Sequence, residues 1–277
     1  MILEVAGSSP VGRPSFPSHP YMRFHAIQTS PVWEDHDANR ALIARAIEAL
    51  APAPRDFVVL PELCETGFSM NSTLAARDDS IAWGSHLAQS AKIWLQCGIA
   101  RRQPHGGVAN TATLFSPEGR EHGCYCKTFL FTPAGEHHSY SPGNGPCVFE
   151  CDDVRIAPMI CYDLRFPELW RHAMLDGAEI FTLGACWPCA RLAQKHALIA
   201  ARAIENQSWI VAANRTGSEP TTNYCGGSTI VDSTGIVHAL CGVDPGSASH
   251  DIDIKALRAF RESSNALSDT QRHFLGL

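Results

Sequence analysis

Two hydrophobic periods alternate along this chain. "RFHAIQT" reads as a strand that opens at Met22, and "DANRALIARAIEAL" then places Leu42, Ile43, Ala46, Ile47 and Leu50 on one helical face. "FVVL" is a short buried strand that stops at Pro61. The pattern predicts a helix over about Ser80 to Cys97 and a strand at "CGIARR". "NTATLFSPEGREHGCYCK" reads as a hairpin turning at "SPEG". A loop rich in Gly, Pro and His follows, then the strand "VRIAPMIC" and a helix from about Pro167 to Leu175, closed by Gly177 as a C-cap. "EIFTLGA" is a strand, "ARLAQKHALIAARAIENQ" a helix, "SWIVAANR" a strand and "GSTIVDSTGIVHAL" a second hairpin. "HDIDI" and a short helix finish the chain.

Helices and strands alternate, but two hairpins interrupt them. That disfavours a plain doubly wound sheet or a barrel and predicts a layered mixed α/β architecture with two sheets. Residues 1–21 stand apart: "GSSPVGRPSFPSHP" is rich in Pro and Ser, has no period, and lacks the apolar core of a signal peptide. The expectation is a poorly packed extension over 1–21 and one domain over 22–277. A mis-called start before Met22 and a short targeting segment are the other readings of the extension.

The net charge of −6 comes without a basic stripe, which speaks against a nucleic-acid partner. No apolar run approaches the roughly 20 residues of a membrane span. Eleven cysteines, an odd number, with no recognisable secretory signal point to a reducing, cytoplasmic setting and free thiols rather than a disulfide framework. Most of those thiols are expected to be small core hydrophobes.

Three apolar stretches end on a polar residue: "FVVLPE" on Glu62, "HGCYCK" on Lys127 and "APMIC" on Cys161. Active sites gather at strand ends in α/β sheets. Each residue also has a plain reading, as a solvated carboxylate, a strand-end charge and a core thiol. Together the three types suit one chemistry. A cysteine nucleophile needs a base or a positive surrounding, which the start of a helix near Pro167 would reinforce. A carboxylate in a dry pocket can act as base and acid, and a lysine can face a developing oxyanion. The set fits acyl transfer through a thioester.

"LPELCETGF", "YCKTFLF" and "ICYDLRFPELWR" resemble, in order and spacing, the three signature segments of the nitrilase superfamily of carbon–nitrogen hydrolases, and "ARAIENQSWIVAANRTG" and "YCGGSTIVDSTGIV" extend the likeness. The resemblance implies a four-layer α-β-β-α sandwich, assembled as a homodimer or higher homo-oligomer. It implies Glu62 as general base, Lys127 as oxyanion stabiliser and Cys161 as nucleophile. Glu136 in "FTPAGEHHSY" matches a second glutamate, and the Tyr162 backbone N–H a second oxyanion donor. No cofactor and no metal are implied; the reactants are a small amide and water. "CYDLRFPELWR", "CWP", "RAIENQ" and "NRTGS" look most like the omega-amidase branch, which acts on amides of α-keto acids such as α-ketoglutaramate. Deaminated-glutathione amidases share "CYDLRFPEL", and N-carbamoyl amidohydrolases are a further reading. Two departures bear on substrate choice: "TFLF" lacks a histidine common before "LF", and Lys195 stands where an aromatic residue is usual.

Trp187 reads either as a pocket wall or as plain packing. Cys124 with Cys126 and Cys186 with Cys189 lack a second pair at zinc-like spacing, and "CWPC" lies too deep in the chain for a thioredoxin-type motif. His137 and His138 read as solvated loop residues that shape substrate at most. A catalytically silent binding module is the non-enzyme reading, which the presence of Glu62, Lys127 and Cys161 disfavours.

Overall fold

The computed structural model of the chain describes residues 21–264 and 266–275. The expected extension therefore lies outside the described residues except Tyr21, which already belongs to the first strand. The first half runs β1 (Tyr21–Gln28), α1 (His36–Leu50), β2 (Phe57–Val59), α2 (Ser72–Ala75), α3 (Ser80–Ala91), β3 (Trp94–Arg102), β4 (Val108–Phe115), β5 (Glu121–Cys126) and α4 (Glu136–Ser139). The second runs β6 (Phe149–Cys151), β7 (Val154–Ile160), α5 (Pro167–Leu175), β8 (Ile180–Ala185), α6 (Leu192–Asn206) and β9 (Trp209–Asn214). It continues through β10 (Thr216–Glu219), β11 (Thr222–Cys225), β12 (Thr229–Val231), β13 (Val237–Leu240) and β14 (Gly246–Asp253) to α7 (Ile254–Ser264).

The strands form two six-stranded sheets, ordered β14-β1-β2-β3-β4-β5 and β13-β12-β9-β8-β7-β6, with β10 and β11 as a separate hairpin. Each sheet has a parallel centre, β1-β2-β3 and β7-β8-β9, flanked by antiparallel strands. Both expected hairpins are present, as β4–β5 and β12–β13. Strands covered on both faces must be apolar at every position, which is why "FVVL" carries no alternation. Phe57 and Val59 enter a core between the sheets, with Phe24, Ile156, Ile180 and Val211. Val58 faces the other way, onto Ile43 and Ile47 of α1 and Ala88 of α3. On the far side Trp170 and Ala173 of α5 and Ile199 and Ala203 of α6 cover Met159, Phe181 and Leu183. The layers are α-β-β-α, as the resemblance implied.

Two expectations need correction. The helix over Ser80 to Cys97 stops at Ala91, because Lys92 takes a left-handed conformation (φ 57°) and its N–H closes on the carbonyls of Ala88 and Gln89. "WLQC" then pairs in parallel with β2, Phe57 opposite Trp94. A short apolar run fits either period, and the sheet decides it. Nor are the cysteines all free. Cys189 and Cys225 form a disulfide with Cα atoms 5.0 Å apart, and the other nine are thiols. Their 36-residue separation hid the pair: Cys189 opens the turn before α6 and Cys225 ends β11. Cys186 thus lacks the partner that "CWPC" offered it.

Lys195 is enclosed on the inner face of α6, with its Nζ donating to the Gly227 carbonyl at 2.6 Å. Burial pushes its ammonium down to about 7 from 10.5. Between those values the unfolded chain holds more protons than the folded one, so raising the pH stabilises the fold. Replacing Lys195 by Met removes this dependence. Urea melts at several pH values should show the variant's stability relative to wild type at its best near pH 7 and below, and declining as pH rises toward about 10. A difference that stays flat across that range would show that no proton is linked to folding at Lys195.

Candidate active site

The three strand-end residues meet. Glu62 follows β2, Lys127 follows β5, and Cys161 follows β7 at the start of a 3-10 turn over Cys161–Arg165. The backbone around Glu62 runs between the two sheets against two glycines. A Cβ on Gly98 of β3 would sit 2.3 Å from the Pro61 carbonyl oxygen, and one on Gly184 of β8 would sit 2.9 Å from that of Leu60. Cys161 adopts a left-handed backbone (φ 43°), a conformation rare for a side chain of this type and concentrated at functional sites.

Glu62, Lys127 and Glu136 are all fully buried. Lys127 Nζ donates to Glu62 Oε1 at 2.6 Å and to both Glu136 oxygens at 2.9 and 2.8 Å. Its three protons are thereby all engaged. Asn110 Nδ2 donates to the same two carboxylates, at 2.8 Å to Glu62 and 2.9 Å to Glu136. The Cys186 N–H reaches Glu62 Oε2 at 3.1 Å, and the Phe131 N–H reaches Glu136 Oε2 at 2.6 Å. The Cys161 thiol lies close enough to Glu62 and Lys127 for both to act on its ionisation. Glu136 thus sits on the lysine, which it shares with Glu62.

Burial, with Glu136 as a second carboxylate, raises the Glu62 pKa despite the lysine beside it. Burial alone would lower Lys127, but Glu62 and Glu136 hold its ammonium well above the usual range. Burial and then Glu62 push the Cys161 thiol well up, against the pull of Lys127. The resting pair is therefore a thiol next to a carboxylate of raised basicity. The expected help from a helix start does not outweigh burial.

Cys161 opens onto a cavity bounded by Phe68, Phe131, Ala134, Tyr162, Arg165, Cys186, Trp187, Pro188, Arg191, Thr222 and Tyr224. Trp187 is a wall: its N–H donates to Asn214 Oδ1 at 2.7 Å and its ring N–H to the Arg191 carbonyl at 2.8 Å. Arg165 lies over the Trp187 ring and Arg191 over Phe131, 5.1 and 5.4 Å from the ring centroids. Glu219 fixes the opposite wall, accepting from the Phe68 N–H and the Tyr224 hydroxyl at 2.7 Å each and pairing with buried Arg215. The disulfide joins the two walls, since Cys189 follows Pro188 and Cys225 follows Tyr224. His137 and His138 are exposed on α4 and are not part of the lining.

Sequence reasoning missed Asn110, Arg165, Arg191 and the β10–β11 wall. It also missed Asp163, two residues past Cys161. Asp163 Oδ2 accepts from the Ile160 N–H at 3.0 Å and the Tyr125 hydroxyl at 2.8 Å, and Oδ1 accepts from the Phe129 N–H at 2.9 Å. One carboxylate therefore ties the Cys161 turn to the segment carrying Lys127. Burial raises its pKa to about 7, with those donors pulling the other way. The one sequence signal was an acid inside an otherwise apolar strand–turn. Replacing Asp163 by Ala leaves the Ile160 and Phe129 N–H groups without their acceptor, each worth about 1–3 kcal/mol, while the Tyr125 hydroxyl keeps Thr128 Oγ1 at 3.0 Å. Urea denaturation should register a loss of about 2 kcal/mol or more; a loss under about 1 kcal/mol would mean the donors find other partners.

Comparison with known proteins agrees with this architecture. The family model described as carbon–nitrogen hydrolase matches residues 25–262. The chain is 35% identical to "Omega-amidase YafV" of Yersinia enterocolitica, over 92% of this chain and 98% of that protein. It is also 35% identical to "2-oxoglutaramate amidase" of Bacillus subtilis, over 78% of this chain and 85% of that one. The crystal structure of XC1258 from Xanthomonas campestris, a CN-hydrolase superfamily protein, superposes with a TM-score of 0.85 at 29% identity, over 91% of this chain and 97% of the other. A family model spanning most of the chain and relatives above 30% identity along nearly all of it place this protein in the carbon–nitrogen hydrolase family.

Proposed function

We propose that this protein is an omega-amidase, releasing ammonia from the terminal amide of a short amide that also bears a carboxylate, such as α-ketoglutaramate, through a thioester on Cys161. The observation that carries the reading is the buried Glu62–Lys127–Glu136 cluster at the strand ends, placed close enough to Cys161 for Glu62 and Lys127 both to act on its thiol, beside a cavity with two guanidinium groups. The names of the relatives, omega-amidase and 2-oxoglutaramate amidase, point the same way.

In this mechanism Glu62 takes the Cys161 proton as the sulfur attacks the amide carbon. The proton moves between two groups of one buried cluster, so the cluster's total charge is unchanged and no extra ion is buried. A protonated Glu62 accepts hydrogen bonds less well, which frees a Lys127 proton for the oxyanion. The Tyr162 N–H is the second donor. The C–N bond breaks as Glu62 returns the proton to the departing ammonia. Water then attacks the thioester, giving a proton to Glu62. The carboxylate product leaves and Cys161 recovers that proton. Glu136 and Asn110 are positioning residues that hold Lys127 and Glu62. Arg165 and Arg191 take the substrate carboxylate, a match of planar donors to planar acceptor.

The reading extends to a cytoplasmic homodimer. Nine of eleven cysteines are free thiols, and Ile204, Ile236, Val237 and Leu240 leave apolar surface exposed for a partner.

Ammonia release should be measured from α-ketoglutaramate, succinamate, deaminated glutathione and an N-carbamoyl amino acid. The first two are expected to turn over and Cys161→Ala to abolish release. Turnover of the last two alone would move the substrate while keeping the mechanism; silence throughout from folded protein would overturn the reading. Arg165→Leu and Arg191→Leu should each raise KM by about 10–100-fold, the range of a charge-assisted hydrogen bond, with a smaller change in kcat. Because the base has a raised pKa, kcat/KM should fall on acidification through a midpoint above the 4.5 of an ordinary glutamate.

A further inference from the structure

One wall of the cavity is made of two residues from distant parts of the chain. Phe68 lies between β2 and α2, and Tyr224 lies on β11. A single carboxylate joins them. Glu219, the last residue of β10, accepts from the Phe68 N–H on Oε1 and from the Tyr224 hydroxyl on Oε2, at 2.7 Å each. Its side chain is only 5% exposed, and it pairs with Arg215, which is fully buried. Arg215 returns to the same wall, with its guanidinium 4.3 Å from the Tyr224 ring centroid.

The Phe68 side of this joint has no slack. Gly67 takes a left-handed backbone (φ 77°), and a Cβ there would sit 2.6 Å from Glu219 Oε1 and 2.9 Å from Arg215 Nη1. The main chain before Phe68 is thus pressed directly onto the ion pair. Phe68 places its ring 5.2 Å from Lys127 Nζ, so this wall bounds the cavity at its reacting end. Trp187, on another side of the cavity, is held just as firmly by Asn214 and the Arg191 carbonyl. The gap between two held walls is set rather than adjustable. The cavity measures about 80 Å³. One water takes about 10–15 Å³ on that scale, so the space holds roughly five to eight waters, room for a short chain without side branches.

We propose that Glu219 is a positioning residue that fixes the width of the cavity, and that this width confines the substrate to amides with an unbranched carbon chain. The inference rests on the reading above that the cavity receives the amide. Glu219 acts through the rings of Phe68 and Tyr224, because its own oxygens are turned to the Phe68 N–H, the Tyr224 hydroxyl and Arg215. A glutamine at this position keeps the joint. Its carbonyl oxygen accepts from Phe68 and Arg215, and its amide N–H donates to the Tyr224 hydroxyl, which accepts as well as donates. An alanine removes both links at once and takes from buried Arg215 the carboxylate it pairs with.

The test compares kcat/KM for glutaramate with that for 3,3-dimethylglutaramate, whose two methyl groups sit mid-chain, by ammonia release. Wild type is expected to favour the unbranched amide by about 10–200-fold, the scale of an added methylene in a close-fitting pocket. Glu219→Ala should cut that preference about tenfold, while Glu219→Gln keeps it within about threefold of wild type. Tyr224→Phe leaves the Arg215–Glu219 pair whole, which guards against a Glu219→Ala protein that does not fold. It should cut the preference about two- to tenfold, the scale of one hydrogen bond. A general loosening of the fold lowers both rates together and leaves their ratio where it was.

A second readout needs no turnover: alkylation of Cys161 by iodoacetamide and by its N-tert-butyl derivative, located by peptide mapping. Wild type should favour the smaller reagent, and Glu219→Ala and Tyr224→Phe should narrow the difference. Ratios unchanged in both variants would overturn the proposal. So would a wild type that takes both amides alike, or a Glu219→Gln protein as permissive as Glu219→Ala. Silence from both amides in a wild type that still separates the two alkylating reagents would overturn the amidase reading alone.

Discussion

Lys127 carries a positive charge into a place water does not reach, and it is tolerable there only because two carboxylates meet it. Glu62 arrives from the end of β2, Glu136 from α4 and Asn110 from β4, so the ammonium is the point at which separate stretches of chain must converge. Deleting one partner of such a cluster leaves uncompensated charge in a low dielectric, at about 3–5 kcal/mol. The arrangement carries one negative charge beyond neutrality when both carboxylates are ionised. Burial first, and then that excess, raise Glu62 toward basicity, which makes the neighbouring thiol the natural source of a proton.

Around this floor the rim is made differently. It consists of loops and one small hairpin, stitched by Glu219, by Asn214 and by a covalent link between Cys189 and Cys225. Loops of this kind vary more readily than the strands beneath them. In the proposed reading this division lets one chemistry face different substrates, since Glu62, Lys127 and Cys161 sit on sheet ends while Arg165 and Arg191 line the rim.

Much of the fold was legible because it is periodic. The amphipathic face of α1 and the two hairpins follow from spacing and turn residues alone, and the apolar runs of β2 and β7 announce burial on both faces. Where an apolar run was short, at "IWLQC", periodicity could not choose, and the strand emerged only from pairing with β2. Glu62, Lys127 and Cys161 were legible as polar residues closing apolar strands. Arg165, Arg191 and Asn110 were not, because an arginine in a loop or an asparagine in a strand has no distinguishing neighbour in sequence. The Cys189–Cys225 link escaped for the same reason: it depends on where a hairpin lands, and that hairpin is polar and short.

Gly98 and Gly184 come from different sheets, and both press bare backbone against the backbone that carries Glu62. Its location is thus gauged by main chain against main chain, without side chains as spacers. Side chains in the surrounding core can drift through neutral exchanges over evolutionary time, swapping volume among themselves, while this separation stays fixed. At these two positions any side chain would have to push aside the backbone that carries the carboxylate, so a larger residue there moves the base itself.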